Sequence, residues 1–189
     1  MYKRDQKEIE QHALASPAGL VDVIEFTLCS IQAGLSTIKL QRKDIAKQGE
    51  SSRFLWGNKR SGWRYALKHR ERMWSKLVAL RECPADDITA ICDAIEILLK
   101  VPNLGLVKAS FVAQMLGFNV ACLDSHNLKR LGKGPAFVSL PKGLKPETKR
   151  RKIVHYVTFC QERGSEYWWD TWCQYVAGNK ANRDLDTGD

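Results

Sequence analysis

Asp124 is the residue of this chain whose type and setting are most suited to chemistry. It follows the apolar segment 121–123 (Ala-Cys-Leu) and precedes Ser125 and His126, where a short helix is predicted to begin. A carboxylate at the rim of an apolar core can stabilise a developing positive charge or accept a proton from an attacking nucleophile. An aspartate at a helix N-terminus more commonly caps the helix, so this residue alone leaves both interpretations open.

A tight turn lies 19 positions before Asp124, counted from Gly105. The turn, segment 101–105 (Val-Pro-Asn-Leu-Gly), separates two predicted helices. Backbone N–H groups at the start of the second helix lack intrahelical partners, and the helix dipole favours an anion there. Gly105 has no side chain, so a phosphate could approach the backbone closely. The simpler alternative is an ordinary turn between two packed helices.

The charge of the chain favours a polyanionic partner. Lys and Arg number 30 against 21 Asp and Glu, which gives a net charge of +9. Cations that neutralise phosphates release counterions, and this release drives binding to nucleic acids. We expect phosphate contacts from Arg64 and Lys68 in a basic helix predicted over residues 61–81, and from Lys149 and Arg150 in the run 149–152. A solvated helix face is the alternative for each run.

A third polar residue, Gln32, lies at a corner between two predicted helices, in segment 28–36 (LCSIQAGLS). A glutamine at such a corner could enter the gap that an extruded base leaves in a duplex. Taken alone, it is typical of a surface glutamine.

Taken together, these segments resemble a known family. The hairpin at 101–105, Lys108 with the next alanine, and segment 123–126 (LDSH) resemble the helix-hairpin-helix and aspartate loop of base-excision DNA glycosylases, such as endonuclease III and the adenine mismatch glycosylase. Segment 28–36 resembles the early Ser-x-Gln corner of that family, whose glutamine fills the gap in the DNA. The resemblance runs from about residue 20 to residue 131.

The resemblance implies a fold, a partner and a set of site residues. The fold would be all-α and two-lobed, with the active-site cleft between the lobes, and the partner would be double-stranded DNA. Asp124 would be the essential carboxylate, and the hairpin would hold a phosphate, often with a monovalent cation at backbone 102–107. The implied DNA contacts are Gln32, Asn103, Gly105, Val107, Lys108 and His126.

Three departures from the family pattern bear on the chemistry. Val107 stands where the bifunctional members have their lysine, and Lys108 is one position later, about 100° further around a helix. We therefore expect Lys108 to touch a phosphate or the helix surface and not to form a Schiff base. Asn103 replaces the first hairpin glycine, and asparagine tolerates a left-handed backbone better than most residues. The four-cysteine iron–sulfur loop of endonuclease III is absent from the sequence.

Helical periodicity extends over nearly the whole chain, and β-branched residues do not form alternating runs, so the sequence predicts an all-α protein. We assign residues 1–189 to a single domain, and we expect its first helix to begin at Ser16. Within it we place the helix-hairpin-helix at 87–116, the aspartate loop at 117–131, the C-terminal helices at 147–177 and a frayed tail at 178–189. The tryptophans of the last helix, Trp168, Trp169 and Trp172, are expected in the core.

Several classes of protein do not fit the sequence. No segment has the roughly 20 apolar residues of a membrane span, and the N-terminus is too polar for a secretory signal, so we expect an intracellular protein with no membrane partner. The six cysteines include no C-x-x-C pair, so neither zinc nor iron–sulfur spacing is present. We expect no cofactor and a monomer.

Three functions remain open. The first is a monofunctional DNA N-glycosylase, in which Asp124 stabilises an oxocarbenium-like sugar and orients water. The second is a transferase on the same scaffold that installs an amino acid or amine on an activated pyrimidine of viral DNA to make hypermodified thymidine. The third is a DNA-binding module without catalysis, and the presence of both the aspartate and the hairpin argues against it.

Overall fold

The structure, a computed structural model, describes residues 6–31, 33 and 35–178, with side chains except at 35, 36 and 175–178. Within these ranges the chain is helical and has no strand, which confirms the all-α prediction. The α-helices are α1 (Gln6–Ala15), α2 (Pro17–Cys29), α3 (Leu35–Gln48), α4 (Asn58–Arg81), α5 (Ile88–Leu98), α6 (Leu106–Met115), α7 (Ser125–Arg130), α8 (Pro146–Gln161) and α9 (Ser165–Gly178). Two short 3₁₀ helices cover Gly49–Ser51 and Pro135–Val138.

The most buried helices are α2, α5 and α6. Their apolar side chains join one continuous core, to which α4, α8 and α9 also contribute. Helix α2 packs against α1, α3, α4 and α6, and α5 packs against α4, α6 and α8. Helices α5 and α6, which flank the hairpin at 101–105, are therefore held by the core. Their packing fixes both ends of the hairpin.

Helix boundaries agree with the sequence where a local signal marks them. The Ser16 hydroxyl accepts a hydrogen bond from the Gly19 N–H, and Asp87 caps α5 by accepting from Thr89 and Ala90. Helix α4 begins at Asn58, three residues before the predicted start, because Gly57 takes a positive φ of 52° that ends the preceding loop.

Helix α1 is an element that the sequence analysis did not predict. Only Ile9 and Ala13 of this helix are buried, on a mostly polar stretch, so its apolar stripe is short. Packing against α2 and α6 supports it. None of the helices in the described part of the chain has the length and apolar content that a membrane crossing requires.

Candidate functional site

Asp124 lies immediately before α7 and is partly buried. Its Oδ1 accepts a hydrogen bond of 3.0 Å from the main-chain N–H of Asn127, so Asp124 is the N-cap of α7. A carboxylate has about four acceptor positions on two oxygens, so one capping bond does not use its full capacity. The cap fixes the orientation of the carboxylate while leaving acceptor capacity for another group.

The segment before Asp124 is buried and is held by side chains. The Tyr156 hydroxyl, fully buried in α8, accepts from the Leu123 N–H at 3.0 Å and donates to the Ala121 carbonyl at 2.7 Å. Burial is also the main reason that the pKa of Tyr156 is raised well above its usual value. The hydroxyl therefore stays protonated and ties the aspartate loop to α8.

Two amide side chains complete the support of this segment. Gln114 of α6 accepts from the Cys122 N–H through Oε1 at 3.2 Å, and Asn127 donates to the Cys122 carbonyl through Nδ2 at 2.9 Å. Both amides are buried. Sequence reasoning missed Tyr156, Gln114 and Asn127, because nothing in the local pattern shows that their polar ends point at residues 121–123.

Lys108 and Asp124 lie near the same buried thiol. The pKa of Cys122 is raised to about 12, mainly by burial; the Lys108 ammonium acts to lower this pKa and the Asp124 carboxylate to raise it. The Lys108 Nζ donates to the Ser30 hydroxyl at 3.2 Å and lies 5.6 Å from the centre of the Phe111 ring. The fold thus brings together residues from α2, α6 and the aspartate loop that are far apart in sequence.

The hairpin takes the backbone conformation expected of it. Asn103 has φ 73° and is the one non-glycine residue with positive φ in the described ranges. Gly105 is the exposed N-cap of α6, and a β-carbon placed there would meet nothing within 4 Å. Val107 is partly buried and packs against the core. A side chain at Gly105 would therefore point into open space, whereas Leu106, the first residue of α6, is buried.

The hairpin carbonyls differ in their availability to a cation. The Pro102 carbonyl lies against Gly62 of α4, and the Gly105 carbonyl accepts from the Ala109 N–H. Within the described ranges, Asn103 and Leu104 are the hairpin residues whose carbonyls have no such neighbour. The monovalent cation expected at backbone 102–107 stays a prediction.

Gln32 lies outside the described residues, but the residues just before it are anchored. The Lys59 Nζ, at the start of α4, donates to the Ile31 carbonyl at 2.8 Å and lies 5.1 Å from the centre of the Trp56 ring. Lys59 is only 3% exposed, and burial lowers its pKa. A lysine in a polar stretch such as 57–60 is expected in solvent, so no local pattern predicts this contact.

A small cavity of about 50 Å³ adjoins Asp124. That volume is sufficient for water but well below the roughly 300 Å³ of typical small-molecule pockets. The exposed His126 lies at this cavity. Most of the lining residues are polar or charged, but the surface that they present to the cavity is mainly apolar; they are Asp124, His126, Asn127, Arg130, Thr171 and Trp172.

The three tryptophans of α9 are not equivalent. Trp168 and Trp169 are buried in the core, as predicted. Trp172 packs against the same core but is only partly buried and forms a wall of the Asp124 cavity. Its place on this wall depends on how α9 meets α7, which the helical spacing of the three residues does not reveal.

The basic helix α4 presents Arg64 and Lys68 away from the hairpin. They are about 160° and 120° around the helix axis from Gly62, the residue that meets the hairpin. Arg64 forms an ion pair with Glu50, and Lys68 is exposed. Arg64 and Lys68 therefore lie on a face of α4 that points away from the hairpin, and their contact with DNA stays a prediction.

The second basic run is partly used within the protein. Arg150 donates to Asp93 at 2.6 Å and to the Thr89 carbonyl at 3.2 Å, and its guanidinium is 3.4 Å from Glu96. These contacts tie α8 to α5 and occupy the guanidinium. Lys149 is partly buried beside it. The predicted phosphate contact is thus better suited to Lys149 than to Arg150.

Comparisons with protein-family models, with curated proteins and with solved structures found no match to this chain.

Proposed function

We propose that this protein is a DNA-binding enzyme that acts on a base rotated out of the duplex and hydrolyses its N-glycosidic bond. The observation that carries the proposal is the setting of Asp124. A carboxylate on a firmly held loop borders a water-sized cavity, close to the helix that follows the hairpin. The resemblance to the helix-hairpin-helix glycosylases, with their two-lobed fold and interlobe cleft, agrees with this arrangement.

In the proposed reaction, the bond between C1′ of the sugar and the base nitrogen breaks, and its electron pair leaves with the base. The Asp124 carboxylate stabilises the positive charge that develops on the sugar. A water molecule beside Asp124 forms the new bond to C1′ and passes a proton to the carboxylate. The water-sized cavity supports hydrolysis because it is large enough for the water that this step consumes.

The duplex would lie across the hairpin and the α7 side of the molecule. The N–H groups at the start of α6 would hold one phosphate, because they have no intrahelical partners, the helix dipole favours an anion, and the exposed Gly105 has no side chain in the way. The ammonium groups of Lys108 and Lys149 would add positive charge to the surface that binds the same duplex. The net charge of +9 supports binding to a polyanion.

The proposal is tested by mass spectrometry of duplex DNA after incubation with the protein, using substrates that carry single mismatches or modified bases. We expect loss of a base from one class of substrate. An added amine or amino acid, in reactions supplied with an activated 5-substituted pyrimidine, would instead identify the transferase. Unchanged DNA throughout would contradict both enzymatic functions.

The key variant is Asp124→Asn, and Asp87→Asn is its matched control. Both aspartates are helix N-caps, and asparagine also caps well, so neither change should unfold the protein. We expect Asp124→Asn to lower turnover by about 100-fold or more and to leave DNA affinity nearly intact. Asp87→Asn should keep wild-type turnover. Full activity of Asp124→Asn would show that the active site is elsewhere.

A further inference from the structure

Trp172 is fixed on one side and borders the Asp124 cavity on the other. Its ring centre is 5.5 Å from that of Phe111 and 5.6 Å from that of Trp169, and both of these residues are buried. Its partly exposed side meets the cavity, across from α7. The indole is therefore a supported flat surface beside the candidate catalytic carboxylate.

The cavity is too small for the substrate that the proposed function requires. About 50 Å³ holds water, whereas a nucleobase needs a site closer to the small-molecule range. One wall belongs to α7, whose Asn127 is held by hydrogen bonds to the aspartate loop. The opposite wall is formed by Thr171 and Trp172 of α9.

The beginning of α9 is held by hydrogen bonds to several other elements. The Ser165 N–H donates to Asn119 at 2.8 Å, and the Ser165 carbonyl accepts from Gln114 at 3.1 Å. The buried Trp168 donates to the Cys160 carbonyl at 2.9 Å. For a base to enter, the wall formed by Thr171 and Trp172 would have to move away from α7, because α7 is joined to the aspartate loop by hydrogen bonds.

We infer that Trp172 closes the Asp124 cavity in the free protein and stacks on the extruded nucleobase when the cavity widens. The ligand of this surface is a planar aromatic heterocycle, because an aromatic side chain contributes to a mainly apolar cavity surface whose residues also carry hydrogen-bonding groups. The inference rests on the proposed function and adds a base-binding residue to it.

The test compares Trp172→Leu with Trp172→Phe, which have similar bulk but differ in the aromatic face. Trp63→Leu is the matched control, because Trp63 is also partly buried but lines a different surface, beside Arg64 and Lys68. All three are made in the Asp124→Asn background, so that the base stays attached. Thermal unfolding establishes that each variant is folded.

Affinity is measured for two duplexes that differ at one position: a single mismatch, and a tetrahydrofuran residue in place of the mismatched base. Trp172→Leu should weaken binding of the mismatched duplex by roughly tenfold, the scale of one lost base–aromatic stack, and leave the tetrahydrofuran duplex unchanged. Trp172→Phe should retain most of the affinity, and Trp63→Leu should affect neither duplex.

Equal weakening on both duplexes, or no weakening on the mismatched one, would overturn the inference. The outcome is separate from that of the proposed reaction. Suppose that wild-type protein leaves all DNA unchanged in mass spectrometry while Trp172→Leu selectively lowers affinity for the mismatched duplex. The base-stacking role of Trp172 is then supported, and the proposed glycosidic hydrolysis is contradicted. If wild-type protein releases a base and Trp172→Leu keeps full affinity for the mismatched duplex, the proposed hydrolysis is supported and the stacking role of Trp172 is contradicted.

Discussion

The carbonyl oxygen of Pro102 lies directly against Gly62, so close that a β-carbon on Gly62 would collide with it. The same β-carbon would also crowd the side chain of Leu28. Gly62 is buried within α4, where glycine is otherwise unfavourable. The absence of a side chain at this position lets α4 pass the hairpin at close range and fixes where the hairpin lies.

Gly62→Ala should destabilise the protein despite the better helix propensity of alanine. The collision is with main-chain atoms, which cannot move aside as a side-chain end can, and overpacking of this kind costs about 1–3 kcal/mol. For a chain of this size the melting temperature should fall by about 2–4 °C per kcal/mol. Gly105→Ala is the comparison, because a β-carbon there meets open space and the expected cost is the weaker N-cap that alanine provides, so its melting temperature should fall less than that of Gly62→Ala. Equal melting temperatures for Gly62→Ala and the wild type would contradict the close contact.

Tyr156→Phe should reduce stability and turnover together. It leaves the buried Leu123 N–H and Ala121 carbonyl without their partner, at a cost of about 1–3 kcal/mol for each unsatisfied group. Because these groups lie just before Asp124, the single-turnover rate should fall while the dissociation constant for DNA changes little.

Tyr167→Phe provides the comparison for this variant. The Tyr167 hydroxyl is exposed and accepts from Arg163 at 2.9 Å, so its removal should change stability by less than about 0.5 kcal/mol. A rate for Tyr156→Phe equal to that of the wild type would show that Tyr156 stabilises the fold without positioning Asp124.

Lys108→Ala should act through DNA affinity and not through a covalent step. If Lys108 neutralises one phosphate, its removal should lower the slope of log affinity against log salt by roughly 0.9. Lys68→Ala should leave that slope unchanged, because Lys68 is about 120° around α4 from the hairpin contact. Affinity is measured by titration over a series of salt concentrations.

Borohydride trapping tests the covalent alternative for the same lysine. We expect no trapped protein–DNA adduct with the wild type. An adduct that forms with the wild type and disappears in Lys108→Ala would identify Lys108 as a Schiff-base nucleophile and assign the protein to the bifunctional lyases.

Local signals in the sequence determined the elements and some of the backbone detail. Helix caps at Ser16, Asp87 and Asp124 mark real helix starts, because a cap depends only on residues within one turn. The left-handed conformation of Asn103 also follows from residue type and turn position. These features were predictable because the interactions behind them span only a few residues.

The tertiary structure alone decided which polar side chains support the candidate site. Tyr156 reaches the aspartate loop from α8, Lys59 reaches Ile31 from α4, and Trp172 meets Asp124 from α9. Arg150, expected on DNA, instead pairs with Asp93. Helical periodicity identifies the face of a helix that is buried, but not the atoms opposite that face. Those partners are set by how the helices pack, because hydrogen bonds and ion pairs act over a few ångströms in space whatever the separation in sequence.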